Sequence, residues 1–223
     1  MRIHIVFFST SVFVIYLFLS GIAVGILASA PLGPGGILCV QRTLNRGRGM
    51  GFLSGCGIAF ADTIFSIVAV SSMSFIKNLL DEVETPLQLV VGIIVIVVGI
   101  SIATTDPIKQ FKYRRTQQNN PFSAFFSIFL LTINPINLLP VLFFTGALKI
   151  AVVSFAEGAA VIAGVLCGAL SWWLGITSLV AHYRKFFRLR HIMWINRILG
   201  TVILVLGVSA CVLAIVKIVE KWL

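Results

Sequence analysis

Asp62 is the one acidic residue near the middle of a long apolar stretch of the sequence. A carboxylate at that depth in a bilayer costs several kcal/mol unless it is neutral or paired, and residues of this kind commonly relay protons or bind ions. We therefore interpret Asp62 as a proton-coupling or cation-binding group that faces a central cavity. A protonated side chain that only holds two helices together is the structural alternative.

Two clusters of helix-breaking residues interrupt other apolar stretches. The first is Ser29-Ala-Pro-Leu-Gly-Pro-Gly-Gly36, and the second is Thr132-Ile-Asn-Pro-Ile-Asn-Leu-Leu-Pro140. Lipid offers no partner for the backbone groups that a break frees, so irregular chain survives at that depth only where protein or a polar cavity covers it. In secondary transporters, broken helices in corresponding halves of the chain point to the binding site. Tilting or kinking of ordinary spans, in which Gly and Pro are common, is the alternative.

The residue types in the two clusters suit a zwitterion. A half-helix that begins after Pro34 directs unpaired N–H groups and its positive end toward the membrane interior, which suits a carboxylate. Asn134 and Asn137 supply amide donors and acceptors, and Pro135 frees a backbone carbonyl. The predicted substrate-binding residues are Pro31, Gly33, Pro34, Gly35, Asn134, Pro135 and Asn137.

The composition places these residues in a membrane protein. Of the 223 residues, 59% are hydrophobic and 11% are charged, whereas soluble domains carry roughly 25% charged residues. The net charge of +10 lies mainly in short loops between apolar stretches, where it encodes orientation in the membrane and gives no reason to predict nucleic-acid binding. We predict one all-α polytopic transmembrane domain over residues 1–223.

The apolar stretches predict about six transmembrane helices, since a span needs about 20 residues. They lie near residues 5–29, 51–75, 86–104, 122–147, 155–180 and 196–217. Residues 34–45 are predicted as a half-helix that re-enters the membrane, and the fourth span as two half-helices joined at Asn134-Pro135. Residues 5–104 and 122–217 then form two three-helix repeats, and because three is odd the second repeat is inverted.

Basic residues between the spans set the predicted orientation. They cluster at positions 42–48, 109–115 and 184–197. The positive-inside rule places these loops in the cytoplasm and therefore both termini outside. Ala28-Ser29-Ala30 looks like a signal cleavage site, but the apolar run before it exceeds 20 residues. The apolar core of a signal peptide has roughly 7 to 15 residues, so we expect a retained helix.

The remaining candidates favour packing over chemistry. The cysteines have no redox or metal-ligand spacing, so we predict no metal, no cofactor and no enzymatic activity. Some glycines have the small-x-x-x-small spacing of closely packed helices. Trp172 and Trp173 lie too deep for an interfacial belt, and either is a candidate wall of a substrate pocket. The cysteines are Cys39, Cys56, Cys167 and Cys211, and the glycine pairs are Gly51 with Gly55 and Gly164 with Gly168.

Three motifs together resemble the lysine exporter (LysE) family of amino-acid efflux proteins, over about residues 20–175. Gly33 and Pro34 match the Gly-Pro signature of that family, and Asn134 with Pro135 matches its Asn-Pro signature. Asp62 matches its acidic position in the second span. The resemblance implies a small bacterial inner-membrane protein that expels amino acids and is driven by the proton-motive force.

The pair Gly35-Gly36 departs from the pattern, because lysine and arginine exporters resemble one another in having Gln-Asn there. A neutral amino acid or another small metabolite is therefore as plausible as a cationic one. The leading hypothesis is a proton-coupled exporter in which substrate binds between the two breaks and Asp62 exchanges a proton. Its partners are the substrate, protons and the lipid bilayer, with a homodimer left open. The alternatives are divalent metal efflux, a membrane thiol-redox protein and a non-transporting scaffold.

Overall fold

The computed structural model describes residues 2–104, 120–148, 150, 152–184 and 189–222. These residues are almost entirely helical and contain no strand, which confirms the prediction of an all-α polytopic membrane protein. The predicted basic loop at 109–115 lies outside the described residues. The helices are α1 Arg2–Ser29, α2 Pro34–Arg46, α3 Arg48–Thr104, α4 Pro121–Thr132, α5 Pro135–Ala147, α6 Phe155–His182 and α7 Leu189–Trp222.

Most of the predicted spans correspond to these helices. α4 and α5 together are apolar enough to cross a membrane as one broken unit, bent by 70°. Of the predicted span 86–104, Val95–Thr104 is a shorter apolar helix. The described residues thus supply four or five spans, and the six-span inverted repeat stays a prediction. The four unbroken spans are Val12–Ser29, Arg48–Ser72, Phe155–His182 and Asn196–Val216.

α3 extends over both the second and the third predicted spans. The sequence predicts a loop at about 76–85, but the backbone is helical there, because this stretch is rich in Leu, Lys and Glu, which favour helix. Ser101 and Asp62 nevertheless border the same cavity, whereas a straight helix would place them roughly 60 Å apart. α3 therefore bends back between these two residues, and both of its arms reach the cavity.

The first break, residues 30–33, separates α1 from α2. The N–H of Gly33 donates to the carbonyl of Pro31 at 3.0 Å, which closes a γ-turn about the residue between them. α2 then begins at Pro34, whose fixed φ suits the first helical position and whose missing N–H is not needed there. The half-helix predicted over residues 34–45 is confirmed.

The second break, residues 133–134, has the same construction. The N–H of Asn134 donates to the carbonyl of Thr132 at 2.7 Å. Ile133 between them has φ −68° and ψ 76°, the backbone angles of an inverse γ-turn. α5 then begins at Pro135. The prediction that two half-helices meet at Asn134-Pro135 is confirmed.

Glycines allow the helices around the breaks to approach to backbone contact. A Cβ atom on Gly164 of α6 would lie 3.0 Å from the Cα of Gly21 in α1. A Cβ atom on Gly55 of α3 would lie 2.6 Å from the Cβ of Trp173 in α6. Real Cβ atoms tolerate neither distance, so the predicted packing role of these glycines is confirmed. The close approach fixes α1 and α3 against α6.

Candidate functional site

A cavity of about 330 Å³ is bordered by both breaks and by both arms of α3. Its volume lies at the small end of the range found for small-molecule sites. Seven of the eight predicted site residues line it, and the side chain of the eighth, Pro135, lies outside the described part of the structure. Their role in binding stays a prediction. The seven are Pro31, Gly33, Pro34, Gly35, Asp62, Asn134 and Asn137.

Asp62 is the one Asp, Glu, Lys or Arg among the cavity-lining residues that the structure describes. Its side chain is 5% exposed, and the Ser29 hydroxyl donates to its Oδ2 at 2.6 Å. The sequence analysis treated Ser29 only as part of a cleavage-like tripeptide. Its position in the last turn of α1, directly before a break, was the available signal that it would face the site.

Asn196 of α7 satisfies the backbone of the first break. Its Oδ1 accepts from the N–H of Leu32 at 3.1 Å, and its Nδ2 donates to the carbonyl of Leu32 at 3.0 Å. Leu32 is the central residue of the γ-turn, and Asn196 is only 1% exposed. The sequence analysis missed this residue, although an amide near the start of an apolar helix must find a partner in lipid.

Asn137 of α5 satisfies the backbone of the second break. Its Nδ2 donates to the carbonyl of Thr132 at 2.8 Å, and its N–H donates to the carbonyl of Asn134 at 2.9 Å. The side-chain donor that the sequence analysis assigned to a ligand is therefore engaged within the break. Asn137 still borders the cavity.

The glycine pair at the start of α2 brings this helix against the far wall of the cavity. A Cβ atom on Gly36 would lie 3.0 Å from the Cη2 of Trp173, and one on Gly35 would lie 3.0 Å from the Oγ1 of Thr132. Both distances are tighter than ordinary contacts, so any side chain at these positions would displace a neighbour. The pair therefore sets how closely the first break approaches α6 and the second break.

Of the two deep tryptophans, Trp173 is among the lining residues. It is 1% exposed, and its indole N–H has no hydrogen-bond partner within the described structure. The indole N–H of Trp172 is also buried and unpaired in the same part of the chain, but Trp172 does not line the cavity. The two side chains thus share one property and differ in their access to the site.

Arg42 differs from its interpretation as an orienting loop residue. It lies within α2 and is 6% exposed. Its guanidinium donates to Ser54 Oγ at 2.9 Å, to the carbonyl of Ala124 at 2.6 Å and to Ser127 Oγ at 2.8 Å. A planar guanidinium with five donors is suited to such multiple contacts. Arg42 therefore ties α2 to both α3 and α4.

The cavity combines groups of opposite polarity. The first turn of α2 borders it at Gly35, and Asn134 borders it directly before α5. Helix N-termini carry unpaired N–H groups and a partial positive charge, which attract anions. Asp62 supplies the opposite charge. The arrangement can hold a small molecule that carries both a carboxylate and an ammonium group.

The other predicted chemistries have few groups to work with in this part of the chain. Among the described residues, no three His, Cys, Asp or Glu side chains lie together as a metal site. The four cysteines are free thiols. The Sγ of Cys39 donates to the carbonyl of Gly51 at 3.1 Å, which agrees with the predicted packing role of this residue.

A family model described as LysE type translocator matches residues 26–213. No curated protein and no solved structure matches the chain. The matched range contains both breaks, Asp62 and Asn196, and it is longer than the range over which the sequence motifs resemble the family. The chain belongs to the LysE type translocator family and is a membrane transporter.

Proposed function

We propose that the protein is a proton-coupled secondary transporter that exports a neutral amino acid, or a small metabolite with the same charged groups, from a bacterial cell. The observation that carries this proposal is the cavity that joins both broken helices to Asp62. Family membership supports a transporter of amino acids or similar small metabolites. The lining residues support the narrower choice of substrate.

The polarity of the cavity favours a zwitterion. The substrate carboxylate lies at the N-terminal ends of α2 and α5, near Gly35 and Asn134, and its ammonium group lies at Asp62. The substrate side chain packs against Ile58 and Trp173, which also line the cavity. Because these two residues are uncharged, they favour an apolar side chain over a second cationic group.

Proton coupling follows from competition at one carboxyl group. A substrate ammonium pairs with the carboxylate of Asp62, whereas a proton on the same group removes the negative charge and releases the ammonium. Each cycle therefore moves one substrate outward and one proton inward. Ser29 is a suitable partner in both states, because a hydroxyl donates to a carboxylate and accepts from a carboxylic acid.

The distribution of basic residues supports an inner-membrane orientation with the basic loops in the cytoplasm and both termini outside. In that orientation the inward proton gradient drives substrate out of the cell. The direction of export thus follows from the same competition at Asp62, with reprotonation from the outer side.

Efflux of labelled neutral amino acids from preloaded cells tests the proposal. We expect wild-type efflux to stop with an uncoupler and Asp62→Asn to reduce efflux to the level of cells without the transporter. Asparagine has nearly the same shape but exchanges no proton. Ser72→Ala is the matched control on the same helix, since the Ser72 hydroxyl is exposed and bonds only to the carbonyl of Val68.

The outcomes separate the remaining hypotheses. Uncoupler-sensitive efflux from Asp62→Asn cells at equal expression would remove Asp62 from the coupling mechanism. Wild-type cells that release no amino acid but release a divalent metal ion would favour metal efflux. Efflux in neither assay would favour a scaffold, and oxidation of a cysteine pair during turnover would favour a thiol-redox protein.

A further inference from the structure

The first break depends on a side chain from the opposite end of the chain. Leu32 is 3% exposed, and both of its backbone polar groups bond to the amide of Asn196, which is 164 residues away in sequence. A primary amide carries the same donor and acceptor pair as a peptide unit, so it replaces the two hydrogen bonds that a helix would have supplied. Pro31 and Gly33 on either side of Leu32 line the cavity.

α7 reaches the site by a second route as well. A Cβ atom on Gly99 would lie 2.7 Å from the backbone N of Leu204 in α7, so the second arm of α3 and α7 are in backbone contact. Ser101 and Ile102 of that arm line the cavity. A displacement of α7 would therefore move two walls of the cavity, the first break through Asn196 and the second arm of α3 through the glycine contact.

We propose that Asn196 is a positioning residue for substrate binding, which acts through Leu32 and couples α7 to the first break. Asn196 does not line the cavity, so it sets substrate affinity without touching the substrate. It holds the γ-turn at Leu32 and thereby the direction in which the first turn of α2 presents its N–H groups. The proposal rests on the proposed function, because the affected quantity is the affinity for the transported molecule.

Two substitutions test the role of the amide. Asn196→Leu has a similar volume and removes both hydrogen bonds to Leu32, whereas Asn196→Asp keeps an oxygen acceptor and alters the donor. We expect the KM for the transported amino acid to rise about tenfold or more in Asn196→Leu and less in Asn196→Asp, with Vmax nearly unchanged. Thr201→Ala is the matched control, because the exposed Thr201 hydroxyl bonds only within α7, to the carbonyl of Arg197.

Amide hydrogen exchange supplies a measurement that needs no substrate. We expect Asn196→Leu to accelerate exchange in the peptide that contains Leu32 and to leave the peptide that contains the second break unchanged. An unchanged KM in both Asn196 variants, or a lower Vmax at unchanged KM, overturns the proposal. If Asn196→Leu does not fold, the KM and exchange of Asn196→Asp decide in the same way.

Failure of the proposed function would have a different signature. The wild type itself would then transport no amino acid. Unchanged exchange at Leu32 in the variants would still overturn the positioning role, whatever the wild type transports. Faster exchange at Leu32 together with a raised KM in the variants supports both the positioning role and the proposed function.

Discussion

The first and second breaks contain the same γ-turn and are each followed by a helix that begins with proline, but their backbone groups are satisfied from different distances. In the first break, both polar groups of Leu32 bond to Asn196, 164 residues away. In the second break, the carbonyl of Thr132 accepts from Asn137, which is five residues further along the chain. One break depends on another helix, and the other is closed within its own helix pair.

This difference indicates which part of the site can move during transport. A locally closed break keeps its geometry when the surrounding helices shift, because its hydrogen-bond partner shifts with it. A break that is held by a remote helix changes whenever that helix changes position. We therefore expect the second break to act as the fixed side of the site and the first break, with α7, as the responsive side.

The largest predicted effect that tests this comparison is the loss of the local partner. Asn137→Leu removes the donor to the carbonyl of Thr132, and we expect the free energy of unfolding to fall by about 1–3 kcal/mol. Faster amide exchange should be confined to the peptide that contains the second break. Thermal unfolding and hydrogen exchange of the purified protein in lipid nanodiscs measure the two quantities.

A double variant shows whether the two breaks are independent. Asn137 and Asn196 share no hydrogen-bond partner among their assigned bonds. The losses in Asn137→Leu and Asn196→Leu should therefore add to within about 0.5 kcal/mol in the double variant. A larger deviation would mean that the breaks exchange energy directly, and the division into a fixed and a responsive side would then be wrong.

A smaller effect is predicted at the wall that faces the first break. Trp173→Phe keeps an aromatic ring but removes the buried indole N–H, which has no partner within the described structure. If a substrate oxygen accepts from this group, the loss of a neutral hydrogen bond worth about 0.5–1.5 kcal/mol should raise KM about two- to tenfold. Stability should change little, because no protein hydrogen bond is lost.

Trp172→Phe is the matched control for this prediction. The Trp172 indole N–H is also buried and without a partner in the described residues, but Trp172 does not line the cavity. We expect its KM to equal that of the wild type. Equal KM values for Trp173→Phe and Trp172→Phe would assign both side chains to packing.

The sequence predicted where the helices break but not what satisfies the breaks. Proline, glycine and asparagine are local signals, and so is an isolated carboxyl group in an apolar run, which is why the cavity collects Asp62 and both clusters. Asn196 has no local pattern that would identify Leu32 as its partner. The contact depends on how α7 packs, and hydrophobic periodicity does not encode this in a helix that is apolar on most sides.

Two other residues illustrate the same limit. Arg42 was counted as an orienting charge because basic residues near span ends usually are, yet its donors reach α3 and α4. The predicted loop at 76–85 is helical, because local helix propensity does not reveal where a long helix bends. In both cases the sequence identified the residue types, and tertiary contacts decided their roles.

The smallest predicted effect lies where the two breaks meet. A Cβ atom on Gly35 of α2 would lie 3.0 Å from the Oγ1 of Thr132, the last residue before the second break. Gly35→Ala therefore introduces a close contact, but it also gains up to about 1 kcal/mol of helix propensity. The two terms oppose each other, so we expect a net change in unfolding free energy below about 1 kcal/mol.

The background of Thr132→Ala separates these two terms. Without the Thr132 hydroxyl there is no close contact, so Gly35→Ala should stabilise Thr132→Ala by more than it stabilises the wild type. The difference between the two backgrounds, measured by thermal unfolding, is the energy of the contact between the breaks. If Gly35→Ala has the same effect in both backgrounds, the breaks do not press on each other at this point, and the first break would respond to α7 alone.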